Sequence, residues 1–204
     1  MADAAPARAP AGILPTTVFV LSSGAAVFWA GSAVASDVAA QWSLTGSQAA
    51  ALSWAVQAGF IVGTLVAAAL NLPDRFAPSR LVALLLAIAA IANAALVLVQ
   101  ADLALAVLLR FLAGAFAGPV YPIGMKLLAT WFPRLGWELG VLLAFNTLGF
   151  GAAFLLRLAA LPWEASLLGV SALGLAGALL AWTLREGPLL PARSPFDPRA
   201  ALRR

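Results

Sequence analysis

Arg110 and Lys126 are the residues of this chain with the most chemistry in them, because each lies inside a stretch otherwise apolar enough to sit in lipid. A cation in hydrocarbon costs from ~2.5 to over 10 kcal/mol unless it is paired, hydrated or snorkelled, so its presence demands a reason. The stretch runs from Arg110 to Pro133, RFLAGAFAGPVYPIGMKLLATWFP. Gly114 and Gly118 form a GxxxG pair between the cations, the spacing that lets a neighbouring helix approach closely, and Pro119 and Pro122 flank Tyr121. Arg110 has two readings. In a water-filled cavity it would contact an anion or take part in coupling; inside the bundle it would snorkel outward or bond free carbonyls. Sixteen positions at ~100° each put Lys126 ~160° away from it on an ideal helix, so one cavity holds both only if the prolines rotate the lower half. Lys126 lies near the span's end and its long stem can snorkel. Tyr121 falls ~20° from Arg110 on the same count, and either lines that cavity or packs.

The residue inventory removes whole classes of function. The 204 residues include no Cys and no His. Thiolate chemistry, Cys- or His-ligated metal, His-held haem and any Ser-His or Cys-His nucleophile are therefore excluded within the sequence, and no cofactor or metal is expected. The acids Asp37, Asp102, Glu138 and Glu164 fall at or near span ends, which argues against a carboxylate proton relay within the bundle. The net charge of +4 comes from arginines in short loops and the C-terminal tail. That pattern orients a membrane protein and does not imply a nucleic-acid partner.

These residues must be held by helices. Of the chain, 63% is hydrophobic and 10% charged, and the mean hydropathy is +0.99. Apolar runs of about 20 residues recur, each long enough to cross ~30 Å of hydrocarbon. The expected class is an all-α membrane protein with six transmembrane helices. The spans are Ile13–Ser36, Ser47–Leu72, Leu81–Gln100, Leu103–Phe132, Leu139–Ala160 and Ala165–Leu184. A tail at 1–12 precedes a bundle at 13–186, and a Pro/Arg-rich tail follows at 187–204. Ala33-Val34-Ala35 has the form of a signal-peptidase site, but its apolar run is longer than a typical signal core, so an intact first span is expected. Arg75, Arg80, Arg134 and Arg185 fall in alternate connections and the other three loops hold no Lys or Arg, so both termini are expected in the cytosol.

The turn Pro73-Asp74-Arg75 through Arg80, the Arg110–Pro133 stretch, and the run Gly140, Gly149, Gly151, Pro162-Trp163 and Arg185-Glu186-Gly187-Pro188 together resemble the N-terminal half of the major facilitator superfamily. The fourth span is similar to that of its anion-type, cyanate/nitrate-like members. Leu70 and Ala77 stand where the family's loop between its second and third helices carries glycines. The resemblance implies one six-helix bundle built as a 3+3 inverted repeat, in a bacterial inner membrane. It also implies a half-transporter for a small anionic solute, working by alternating access as a homodimer or with a separate C-terminal half. A non-transporting relative or a truncated fragment is the alternative, since the family usually has twelve helices and FDPRAALRR is similar to its central linker.

By the same resemblance, spans one, two, four and five line the cavity. That makes Trp29, Gln57, Arg110, Tyr121 and Asn146 the expected solute contacts, ahead of Asn93. Gln57 and Asn146 have a second reading as interhelical hydrogen-bond donors and acceptors. Asp74, Arg75, Arg80 and Arg134 form a charge cluster that the resemblance makes a gate latch and that is otherwise an orienting loop.

Overall fold

Helix boundaries follow the polar and proline punctuation of the sequence. The computed structural model describes residues 9–99, 102–158 and 161–190, so most of both expected tails lies outside it. Helix α1 is Ile13–Ala33, and a kink at Val34 leads into α2, Ala35–Gln41. Helix α3 is Gly46–Ala69, followed by the single turn α4, Leu72–Arg75. Helix α5 is Pro78–Ala95, extended by a 3-10 turn at Leu96–Leu98; α6 is Leu103–Ala117 and α7 is Val120–Ala129. Helices α8, Gly136–Leu158, and α9, Trp163–Thr183, follow.

Local chemistry explains the starts and stops. Thr45 caps α3 in a capping box: Gln48 N donates to Thr45 Oγ1, and Thr45 N donates to Gln48 Oε1 at 2.8 Å. The carboxylate of Asp102 accepts from Leu105 N at 3.1 Å and starts α6. Asn71 takes the left-handed conformation (φ 49°) that lets the chain reverse from α3 into α4, a conformation Asn tolerates better than most residues. The fourth apolar run, expected as one helix, is two. Pro119 has no N–H to offer Ala115 O, and Pro122 has none for Gly118 O, so the hydrogen-bond ladder breaks between α6 and α7.

Among the described residues, five helical rods are long and apolar enough to cross a membrane: Ile13–Gln41, Gly46–Ala69, Pro78–Leu98, Leu103–Ala129 and Trp163–Thr183. Helix α8 has 23 residues and stands in the place expected for the fifth span, packed along α1. The first rod runs through the kink to Gln41, beyond the expected Ser36, and Ala33 and Val34 are buried at that kink. Helix α1 is central and touches α5, α6, α7, α8 and α9, while the most extensive pairings are α3 on α6 and α5 on α9.

Beyond α9 the chain turns back over the bundle end. Glu186 accepts from Ser79 N at 3.1 Å and Ser79 Oγ at 2.7 Å, placing a carboxylate on the first turn of α5 where free N–H groups favour it. Gly187 N donates to Thr130 Oγ1 at 2.7 Å and Trp131 Nε1 to Arg185 O at 2.8 Å. The ends of α7 and α9 and the start of α5 are thereby tied together.

Candidate functional site

Four elements meet around the break in the fourth span. A cavity of about 340 Å³ is lined from α1 by Phe28 and Trp29, from α3 by Gln57 and Phe60, from α7 by Tyr121, and from α8 by Asn146. Ala117 and Gly118 form its floor beside the break. Such a volume lies within the ~300–1,000 Å³ usual for small-molecule sites. Helical spacing brings Gln57, Phe60 and Thr64 to one face of α3, since three and seven positions are close to whole turns. Phe28 stands edge-to-face against both Trp29, with ring centroids 5.4 Å apart, and Phe60, at 5.2 Å. These contacts fix an aromatic wall.

Four of the five expected contacts, Trp29, Gln57, Tyr121 and Asn146, thus line one cavity, and Arg110 is not among its lining residues. Arg110 is only 2% exposed and lies within the bundle. Its Nη1 donates to Asn93 Oδ1 on α5 at 3.0 Å and its Nη2 to the Phe28 carbonyl on α1 at 3.3 Å. Asn93 Nδ2 in turn donates to Ser171 Oγ on α9 at 2.9 Å, and Ser171 Oγ donates to Leu167 O at 2.8 Å. The guanidinium lies flat on Gly31, where a Cβ would come within 2.2 Å of Arg110 Cζ. The cation is thus solvated by a side-chain amide of α5 and a carbonyl of α1, and Asn93 extends the network to α9. The physical reason for its placement is the break at Gly118 and Pro119. It intervenes between Arg110 and Tyr121, so the phase of one ideal helix does not hold across it.

The expected charge cluster is also rearranged. Asp74 pairs with Lys126, a residue outside the expected cluster, and the Lys126 ammonium also donates to Pro73 O at 2.9 Å. Lys126 therefore reaches toward the bundle end, as a snorkelling stem does, and finds a specific partner there. Arg80 lies over the Trp182 ring at 5.8 Å, Arg134 is exposed, and Arg75 is exposed on α4 next to Asp74.

The hydrogen bond from Lys126 holds the Asp74 carboxyl below its usual range, outweighing partial burial; Asn71 and the ammonium's charge add to it. A depressed carboxylate stabilises the fold above its unfolded pKa of about 3.9, and that contribution is lost as pH falls through the lower folded value. Thermal unfolding of wild type and Asp74→Asn between pH 3 and pH 7 should diverge at neutral pH and converge in acid. The gap should stay under ~1 kcal/mol for so exposed a pair. Parallel curves would show that the pair contributes nothing.

Asn93, Ser171, Phe28, Phe60 and Thr64 are missing from the sequence-derived set. For Asn93 a signal exists: a buried Arg with no acid deep in any span needs a neutral acceptor on a neighbouring helix. For Thr64 the signal is its seven-residue spacing from Gln57. Nothing in the sequence marks Phe28 or Phe60 apart from other apolar residues.

A family model described as Major Facilitator Superfamily matches residues 16–203. Comparison with curated proteins gave no match.

Proposed function

Because this chain belongs to the major facilitator superfamily, a family of multi-pass membrane transporters, we propose that it is one six-helix bundle of a secondary transporter that moves a small solute by alternating access. Helix α8, in the place of the fifth span, brings the number of spans to six in this reading. One observation carries it: residues from α1, α3, α7 and α8 converge on a single cavity at a break in the fourth span. The opposite wall would come from a second copy of this chain, forming a homodimer, or from a separate second bundle. Arg80, Arg134 and Arg185 cluster at the end tied by Glu186, which supports a cytosolic assignment for that end and for both termini in an inner membrane. An anionic solute, as in the cyanate/nitrate-like branch, would need its cation from the opposite wall, since Arg110 is spent inside the bundle.

The sequence has no Cys, so an introduced thiol is the only one present. Single-thiol variants Tyr121→Cys and Asn146→Cys should react with an impermeant maleimide from both sides of sealed vesicles. Arg134→Cys should react from the cytosolic side alone. A cavity thiol reached from one side only would discard alternating access and favour a non-transporting membrane component.

A further inference from the structure

Two carboxamides at this cavity are uncommitted. Asn146 is 9% exposed, yet its side chain makes no hydrogen bond among the described residues, and it lines the cavity. Gln57 is half-buried, lines the same cavity, and is likewise without a side-chain hydrogen bond among the described residues. Both amides open into the cavity, so the hydrogen bonds they make there go to water or to a bound molecule. Such groups are kept where something enters to pair with them.

The chemistry of that partner follows from what surrounds the amides. Among the described residues no charged side chain lines this wall of the cavity. A carboxylate held against this wall would shed its hydration with no cation on the wall to replace it, and would meet amide oxygens as well as amide N–H groups. An ammonium would find ring faces, but cation–π contacts of ~0.5–2 kcal/mol fall short of a desolvation cost of several kcal/mol per ion. An uncharged group that donates and accepts fits both amides, each of which offers two donors and an acceptor. The rings of Phe28, Phe60 and Tyr121 favour a flat, apolar body on the same molecule.

We propose that this cavity binds an uncharged ring compound with a carboxamide-type edge, the edge paired with Asn146 and Gln57 and the ring held among Phe28, Phe60 and Tyr121. The assignment rests on the transporter reading, which makes the cavity a solute site, but it is tested separately.

Benzamide, benzoate and benzylamine share one ring and differ in charge at neutral pH. Equilibrium dialysis against the full chain in nanodiscs, with empty nanodiscs as blank, should show saturable binding of benzamide at least about tenfold tighter than of the two ions. Asn146→Leu and Gln57→Leu should each weaken benzamide about tenfold, the size of one buried hydrogen bond, without lowering the melting temperature. Benzoate or benzylamine binding best would overturn the solute class while leaving two-sided thiol access standing. So would benzamide binding indifferent to both leucine variants, or no saturable benzamide binding. Benzamide bound as expected by a cavity that labels from one side only would instead keep the solute class and discard transport.

Discussion

Gly114→Leu should leave little folded protein, because it forces apart the closest helix pair in the bundle. A Cβ on Gly114 would lie 2.0 Å from Val56 O and 3.0 Å from Phe60 N, both backbone atoms of α3. The approach is reciprocal: a Cβ on Gly59 would lie 2.0 Å from Phe111 O, and one on Gly63 would lie 1.9 Å from Ala115 O. Since the obstacles are backbone, no rotamer change relieves them, and the whole of α3 must move off α6. Helices in lipid gain nothing from leaving water, so this packing is much of what joins them. Even Gly114→Ala should cost roughly 3 kcal/mol, the upper end for overpacking. Gly140→Ala and Gly151→Ala provide the contrast, for a Cβ at either position meets nothing within 4 Å. They should fall within about 0.5 kcal/mol of wild type. Unfolding in graded SDS/maltoside micelles would rank all four variants, and a Gly114→Leu protein as stable as Gly140→Ala would refute the close-packed seam. The cavity depends on that seam as well: α3 carries Gln57, and Gly118, whose Cβ would lie 2.7 Å from Thr64 Oγ1, sits on its floor.

The seam shows how far a sequence can be read. Gly114 and Gly118 are visible as a GxxxG pair between two cations, and their packing role follows from size alone. Their partners Gly59 and Gly63 have the same spacing, but only the three-dimensional pairing shows that the two stripes face each other. The apolar runs give the helices and their order because length and hydropathy are properties of each run by itself. The kink at Val34 and the break at Gly118–Pro119 alter direction and phase, and these depend on which backbone groups find partners elsewhere. Trp29, Gln57, Tyr121 and Asn146 line one cavity because α1, α3, α7 and α8, which carry them, converge at the break in the fourth span. Arg110 lies on α6, on the other side of that break, and faces away. Its orientation is set by Asn93 and the Phe28 carbonyl, partners on two other helices, with Asn93 itself held by Ser171 on a third.

That network makes the second large prediction, and it separates the two readings of Arg110. Arg110→Lys should be almost as damaging as Arg110→Ala. A compact ammonium cannot span Asn93 Oδ1 on α5 and the Phe28 carbonyl on α1 as the guanidinium fork does. Arg110→Met, close to isosteric, should cost about 2–4 kcal/mol. It leaves the Asn93 acceptor unpaired in a dry interior, whereas Phe28 O keeps its place in the α1 ladder. Asn93→Leu alone should cost more, roughly 3–5 kcal/mol, because it strands a buried cation without its side-chain acceptor. Combining Arg110→Met with Asn93→Leu removes both the charge and the orphan, and should recover most of the loss, as replacement of buried ionic groups by apolar ones often does. Ser171 keeps its bond to Leu167 O throughout. In that double variant Gly31→Ala should become tolerable, since the guanidinium that a Cβ would strike at 2.2 Å is gone. Two-sided labelling of an Asn146→Cys thiol should survive as well. A residue that contacts solute directly behaves otherwise: restoring the fold through Asn93 could not restore its function. Loss of access in a stably folded double variant would return Arg110 to the cavity wall; retained access would confine it to fixing the α1 backbone that carries Phe28 and Trp29.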